Sequence, residues 1–481
     1  MKRIIIAAVS VLCSCLALAA AERKPNIVVI LSDDQGYADI SFNPHHPKEV
    51  STPHMDSLAK EGVWFSQAYI SGNVCSPTRA GLMLGRYQQR VGVYTAGEGG
   101  RGFDPKLPIF PGFLGKDYAR MALGKWHLGL DDDAPDLKWH ALNRGFDESY
   151  QFMGRGAHDY FRLKGASDPS DPFYRNKQRL DDEGYLTTRL SEEAVAFIDR
   201  NKSRPFFLYL AYNAVHSPQQ APPADIERFT KQFPDIGKDR QILMAMLYHL
   251  DLGVGSVVKK LKDEKLWDNT LLFFLTDNGG SRAMSANNAP LRGFKASNYE
   301  GGIRTPFVVS WPAAFKGGRT IDTPVIALDI LPTALEAAGV PAPQNPPFDG
   351  KSLLPLLTGK TTQHHEALYW SNGGGIGDWA VRKGDWKLHG IREQVELINL
   401  AADPAEAKNL AKEQPERVKE LTQLFDVWLD SMAPPMTSGV SKKWGAGDNQ
   451  AEPLDERAKK RQERKQERKG KKAAAGEEDS E

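Results

Sequence analysis

Cysteine is scarce: the 481 residues hold three, Cys13, Cys15 and Cys75. An excess of either charge is also lacking. Lys+Arg number 62 and Asp+Glu 61, for a net charge of +1. Without a global basic field, nucleic acid is not indicated as a partner. No internal repeat is visible. Hydrophobic residues at 41% and charged residues at 26% are ordinary globular usage. That composition excludes a wholly disordered chain, a collagen and a polytopic membrane protein. At ~100–200 residues per domain the length allows two to four domains.

What is present begins at the N-terminus. Lys2 and Arg3 precede an apolar stretch from Ile4 to Ala21 that ends in Ala17-Leu18-Ala19-Ala20-Ala21. A charged start, an apolar middle and an A-x-A-like end describe a secretory signal peptide. An uncleaved anchor is the bland alternative, since the stretch is near the ~18-residue lower limit for a span. Lipid attachment at Cys15 is a third. Export to the periplasm or beyond is the expectation. Cleavage near Ala19–Ala21 would leave Cys75 alone. A lone cysteine in an oxidising compartment is a free thiol, a partner-seeking thiol or a chemically altered residue. It can also be a small buried hydrophobe.

Apolar runs predict buried parallel strands at Asn26–Leu31, Phe206–Tyr212, Leu271–Leu275 and Phe307–Trp311. Helical patterns lie between them, notably Thr188–Arg200 and Asp239–Leu261. Thr52-Pro53 reads as a helix start and Gly62 as its end. Strands alternating with helices predict an α/β fold with a large, mostly parallel sheet flanked by helices. The proline-rich stretch Pro341–Pro347 reads as a linker. Beyond it, short strand-like pieces around Trp370, Trp379 and Trp386, then a helix from Pro415 to Trp428, predict a smaller antiparallel sheet with a helix. The expected division is a signal peptide at 1–21, a catalytic domain at 22–347, a C-terminal subdomain at 348–440 and a charged, disordered tail at 441–481.

Polar residues gather where the predicted strands end. Asp33 and Asp34 follow the first, Asn213 and His216 the second, Asp277 and Asn278 the third. In open α/β sheets ligands bind beyond the carboxyl ends of strands. Any single acid is more often a turn or helix cap; three pairs together suggest a shared site. Asp33, Asp34, Asp277 and Asn278 offer only oxygen, which suits a hard cation, Ca²⁺ first and Mg²⁺ second. Three buried negative charges would also be costly without one. Cys75 precedes Ser76-Pro77-Thr78-Arg79, and Pro77 suits the first turn of a helix. A helix N-terminus favours negative charge, and Arg79 lies one turn on, so a plain activated thiolate is one reading.

At these residues the sequence resembles the formylglycine-dependent sulfatases, within the alkaline phosphatase superfamily. The resemblance rests on the C-x-P-x-R signature at Cys75–Arg79 and its extension to Arg86. Gly124-Lys125-Trp126-His127-Leu128-Gly129, Asp33-Asp34, Asp277-Asn278-Gly279 and the lysine segment Leu291–Arg304 add to it. It covers roughly Lys24 to Leu410. It implies an alkaline phosphatase-like fold and a sulfuric ester hydrolase. It implies that a formylglycine-generating maturation enzyme oxidises Cys75 to formylglycine (3-oxoalanine), whose hydrate attacks sulfur and later expels sulfate. By the same resemblance the metal set is Asp33, Asp34, Cys75 as formylglycine, Asp277 and Asn278. Lys125 and Lys295 would bind sulfate oxygens, and Arg79 would hold the diol. His216 would protonate the leaving oxygen and assist substrate binding, and His127 would serve as base. Ala96–Arg101 and Arg155–Arg162 are expected to line the pocket, with Arg101, His158 or Trp370 touching a sugar. The expected substrate is a sulfated carbohydrate. The competing readings are a formylglycine-dependent phosphonate monoester or phosphodiester hydrolase, and an inactive glycan-binding homologue. The oligomeric state is not legible.

Overall fold

The structure is a computed structural model. It describes residues 24–129, 137–153, 156–164, 167, 172–372, 378–391 and 394–436. The expected signal peptide with Cys13 and Cys15, the charged tail and Arg155 lie outside the described residues.

A ten-stranded sheet forms the larger unit. Its order is Arg319–Ile321, Val63–Phe65, Phe307–Ser310, Thr270–Thr276, Asn26–Ser32, Phe206–Ala211, Ala119–Lys125, Glu148–Phe152, Phe173–Arg175 and Gln178–Arg179. The five strands from Thr270–Thr276 to Glu148–Phe152 run parallel, in register Ile27↔Leu271, Ile27↔Phe207, Phe207↔Arg120 and Met121↔Glu148. Antiparallel strands flank this centre, so the sheet is mixed at its edges. Phe307–Ser310, read from sequence as one more buried strand, is one of the antiparallel ones.

Because side chains alternate along a strand, the central strands feed two cores. Val28, Ile30, Leu208, Leu210, Leu272 and Phe274 pack with the helices Pro53–Glu61, Leu186–Asn201 and Lys238–Asp263. Ile27, Val29, Leu31, Tyr209, Leu271 and Phe273 pack on the other face with the helices Cys75–Leu84 and Ile330–Ala337. Burial on both faces explains why these strands read as unbroken apolar runs. Lys238–Asp263 is long and apolar enough to cross a membrane, but thirteen of its residues are buried inside the protein. Pro53 opens its helix as expected, yet the Thr52 side chain does not cap it; the Thr52 hydroxyl meets Asp56 and Ser41 instead.

The smaller unit is a four-stranded antiparallel sheet, Ala367–Ser371, Asp378–Lys383, Trp386–Ile391 and Gln394–Asn399, covered by the helix Pro415–Asp430. Phe425 of that helix stacks on Trp379 with centroids 4.2 Å apart. A buried ionic joint ties the units together. Lys387 of the small sheet lies 2.9 Å from both Glu300 and Glu406, and Tyr69 donates to Glu300 at 2.6 Å. Trp370 also belongs to this joint. It is fully buried, donates to the Ile70 carbonyl at 2.7 Å and packs against Tyr69. The expectation that it stacks on a sugar is therefore wrong.

Candidate active site

Four parallel strands deliver the site from their carboxyl ends. Asn26–Ser32 leads to Asp33 and Asp34, and Thr270–Thr276 leads to Asp277 and Asn278. Phe206–Ala211 leads to His216, and Ala119–Lys125 ends on Lys125 two residues before His127. Backbone hydrogen bonds lash these ends together: Asp33 N–H to Ala214 O, Val215 N–H to Asp33 O and Asp277 N–H to Ser32 O. Asp34 and His127 hold φ of 60° and 55°, left-handed values that cost a non-glycine residue of order 1 kcal/mol or more. Such strain is tolerated where the surrounding structure fixes it. Gly279 is required by close approach, since a Cβ there would lie 1.9 Å from the Gly301 carbonyl oxygen. That contact brings the Lys295 segment against the Asp277 strand end, and the Lys295 N–H donates to Gly280 O.

Cys75 is the first residue of its helix, with Val74 extended before it. Its thiol shares the cleft with His127 and His216, a ring nitrogen of His216 lying within 4.8 Å of Sγ. Arg79 reaches beneath it rather than out to solvent. Its guanidinium is completely buried, 2.7 Å from Asp277, 3.2 Å from Asp33 and 2.7 Å from the Lys125 carbonyl. Lys125 Nζ meets Asp33 at 2.5 Å, and Lys295 Nζ meets Asp34 at 2.6 Å. Asn278 donates to Asp34 at 2.7 Å, and His216 Nε2 stands 3.7 Å from Asp34. Ligating atoms of Asp33, Asp34, Cys75 and His216 lie within 4.8 Å of one another.

The three acids are thus not uncompensated, because Arg79, Lys125 and Lys295 face them. Their oxygens are nevertheless incompletely used. Asp33 Oδ1, Asp277 Oδ1 and Asn278 Oδ1 are buried without a hydrogen-bond partner among the described residues. Leaving a buried acceptor unsatisfied costs about 1–3 kcal/mol, more for a charged one. A hard cation would satisfy all three, so the donor set fits Ca²⁺ or Mg²⁺.

Burial and neighbouring charge divide the titrating groups. Burial alone would raise the Asp33 carboxyl, but Lys125, His216 and Arg79 hold it below the usual range. Burial and then Asp33 push Asp277 up to about 8. The Cys75 thiol is held well below its ordinary value: burial opposes ionisation, and Lys125 with the two histidines outweighs it. Burial lowers His127. For His216 burial is outweighed by Asp33, which raises it. The two histidines beside Cys75 are pushed in opposite directions.

Above these groups opens a cleft of about 510 Å³, lined by Val74, Cys75, Ala96, Gly97, Gly100, Arg101, Gly156, His127, His216 and Lys295. Ala96–Arg101 contributes to its wall, as does Gly156. His158 does not reach it. It is 1% exposed, packed against Phe152 and Phe173, so burial excludes the sugar contact expected of it. Asn213 turns inward and donates to the His158 carbonyl. Tyr160, not singled out from sequence, donates to the His216 carbonyl at 2.9 Å and steadies that loop. Its only sequence signal was its place inside Arg155–Arg162.

A doubly wound α/β sheet with a carboxylate cluster at its central strand ends and a helix N-terminus facing it defines the alkaline phosphatase-like class. Within that class the comparisons are specific. Residues 25–340 match the Sulfatase family, and residues 294–430 match "N-sulphoglucosamine sulphohydrolase, C-terminal". The chain is 30% identical to an uncharacterized sulfatase, YdeN, of Escherichia coli K12, over 88% of each chain. It is 30% identical to the N-acetylgalactosamine-6-sulfatase of Canis lupus familiaris, over 78% of this chain and 73% of that one. Among solved structures, Ps i-CgsB aligns with a TM-score of 0.79 and 35% identity, covering 86% of this chain and 94% of that one. The same protein is also solved in complex with k-i-k-neocarrahexaose, with a TM-score of 0.78. The chain belongs to the sulfatase family and is a sulfuric ester hydrolase.

Proposed function

We propose that this sulfatase is exported, acts on O-sulfate esters of carbohydrates, and works through a formylglycine made from Cys75 by a maturation enzyme. The observation that carries the reading is the cleft itself. Cys75, His127, His216 and Lys295 face one open space, directly above a buried oxygen cluster with three unused acceptors. The carbohydrate is supported by the sugar named for the N-acetylgalactosamine-6-sulfatases and by the neocarrahexaose bound to the 35%-identical neighbour.

In this reading the Cys75 Sγ stands where a formylglycine hydrate would present its oxygens. Such a hydrate would supply one oxygen to attack sulfur and a second to expel sulfate as the aldehyde re-forms. Asp33, Asp34, Asp277, Asn278 and residue 75 would hold a divalent cation, Ca²⁺ first and Mg²⁺ second, which would polarise sulfate and nucleophile oxygens. Lys125 and Lys295 bind the peripheral sulfate oxygens, where charge develops as the S–O bond breaks. Arg79, fixed between Asp277 and Asp33, keeps the acids and residue 75 in one register. His216, with its raised pKa, holds a proton to give to the leaving alcohol. His127, with its lowered pKa, is free to take one from residue 75.

The test is ion chromatography of sulfate released from sulfated oligosaccharides, carrageenan-derived ones included, by protein matured in a formylglycine-generating host. Sulfate release is expected. Hydrolysis of phosphonate or phosphate esters with no sulfate release would overturn the reading. Export is tested by the N-terminus of the periplasmic or secreted protein, expected near residue 20–22.

A further inference from the structure

Most of the charged groups lining the cleft are engaged near its floor. Lys295 pairs with Asp34, and the two histidines stand by Cys75. Arg101 is the exception. It lines the same cleft and is exposed, and among the described residues its guanidinium makes no ion pair, side-chain hydrogen bond or ring contact. Among the described residues no carboxylate lines the cleft. The nearby Glu98 is buried and turned into its own loop, where it accepts from the Tyr94 and Thr95 N–H groups and completes a capping box. That loop is therefore a firm support, and the cation at its end faces the substrate space with no counter-charge among the described residues.

The glycines beside Arg101 divide their work. Gly99 lets the loop dock on the Cys75 helix, because a Cβ there would lie 2.0 Å from Ser76 Oγ. Gly97 has ordinary backbone geometry, and a Cβ there would meet only Thr95 Oγ1, at 3.9 Å. The wall is thus anchored at Gly99 and open at Gly97, which itself lines the cleft.

We propose that Arg101 is a specificity-determining residue that binds a second anionic group of the substrate, so that the preferred substrate is a glycan carrying a sulfate or carboxylate besides the sulfate that is cleaved. The inference rests on the sulfatase reading above. A planar guanidinium matches sulfate and carboxylate oxygens in a two-point contact, which an ammonium does not reproduce. A hydrogen bond to a charged group of this kind corresponds to roughly 10- to 100-fold in binding.

The experiment compares matured wild type with Arg101→Gln, Arg101→Lys and Gly97→Leu on four substrates. These are a disulfated oligosaccharide, a monosulfated one with a uronate, a monosulfated neutral one, and 4-nitrophenyl sulfate. The quantity read is the ratio of kcat/KM on each dianionic sugar to that on the neutral monosulfated sugar. Arg101→Gln is expected to lower this ratio about tenfold or more, mainly through KM, with Arg101→Lys in between. A fall confined to the disulfated or to the uronate substrate identifies which anion is read. Gly97→Leu is expected to penalise all three oligosaccharides relative to 4-nitrophenyl sulfate, since it fills the open wall. Calorimetric binding of the disulfated sugar to Cys75→Ala, with and without Arg101→Gln, should show the same weakening independently of maturation. An Arg101→Gln ratio within twofold of wild type would overturn the proposal. A wild type that cleaves phosphonate esters but no sulfate ester, 4-nitrophenyl sulfate included, would overturn the sulfatase reading, and this inference with it.

Discussion

Among the described residues two clusters bring metal-ligating side chains within reach of one another, and they are built on opposite plans. One is the strand-end group of Asp33, Asp34, Cys75 and His216, with Asp277 and Asn278 beside it. The other is Asp329 with His364 and His365. In the second cluster the carboxylate is fully used. Asp329 Oδ1 accepts from His365 Nε2 at 2.7 Å and the Lys351 N–H at 2.8 Å, while Oδ2 accepts from His364 Nε2 at 3.0 Å and the Ile326 N–H at 2.9 Å. That group is closed and acts as a latch, fastening the 350–365 segment to the start of the helix Ile330–Ala337. At the strand ends three oxygens remain without partners among the described residues, and the cleft opens beside them. Proximity of ligating atoms does not separate a latch from a site; the count of unused acceptors does.

The sharpest break in the comparison comes from Cys75→Ala. It should lower turnover by about 10⁴-fold or more, since it removes the proposed nucleophile, while the melting temperature stays near wild type. Cys75→Ser should be as inactive, or be trapped with sulfate after one turnover. Peptide mass analysis across residue 75 should show specific activity tracking the formylglycine fraction. Full turnover by protein carrying only the thiol would remove the formylglycine from the account.

His216→Ala should cost about 10²–10⁴-fold on a sugar sulfate and distinctly less on 4-nitrophenyl sulfate, whose leaving oxygen needs no proton. Equal losses on the two would take His216 out of the acid role.

The latch should answer in stability, not in catalysis. Asp329→Ala leaves two buried imidazoles and two N–H groups without their acceptor, and should destabilise the fold by about 3 kcal/mol in a urea titration. At temperatures where the variant is folded, its KM should match wild type. Burial would raise the Asp329 carboxyl, but His365 and His364 hold it well below its ordinary value. Its folded pKa is thus depressed relative to the unfolded chain. The stability it contributes is present above about pH 4 and is lost as pH falls below that. Asp329→Asn should flatten the acid side of the stability profile in that window.

Much of this arrangement is legible in the sequence, for identifiable reasons. Asn26–Ser32, Phe206–Ala211 and Thr270–Thr276 are buried on both faces, so their apolar runs stand out, and the polar residues that end them, Asn213 apart, build the candidate site. Ala119–Lys125 is equally central but hidden, because Arg120 and Gly124 interrupt its pattern. The direction of Phe307–Ser310 is not encoded in its composition. Trp370 and His158 illustrate a different limit. Each sits in a segment that approaches the catalytic unit or the cleft, but which face of the segment is buried depends on partners distant in sequence: Tyr69 and Ile70 for Trp370, Phe152 and Phe173 for His158. The role of Arg79 was half visible. Helical spacing aims it back at Cys75, but its grip on Asp277, 198 residues away, is a product of the fold.

The most direct test of the contrast between open site and closed latch is metal content per chain, read by mass spectrometry on wild type, Asp277→Ala and the double variant His364→Ala/His365→Ala. Chelator-treated wild type should lose its sulfatase activity and regain it with Ca²⁺, with about one divalent ion bound per chain. Asp277→Ala should bind clearly less, and the double-histidine variant as much as wild type. Full activity in verified metal-free protein, or an ion that disappears with the histidine pair and persists without Asp277, would contradict the account.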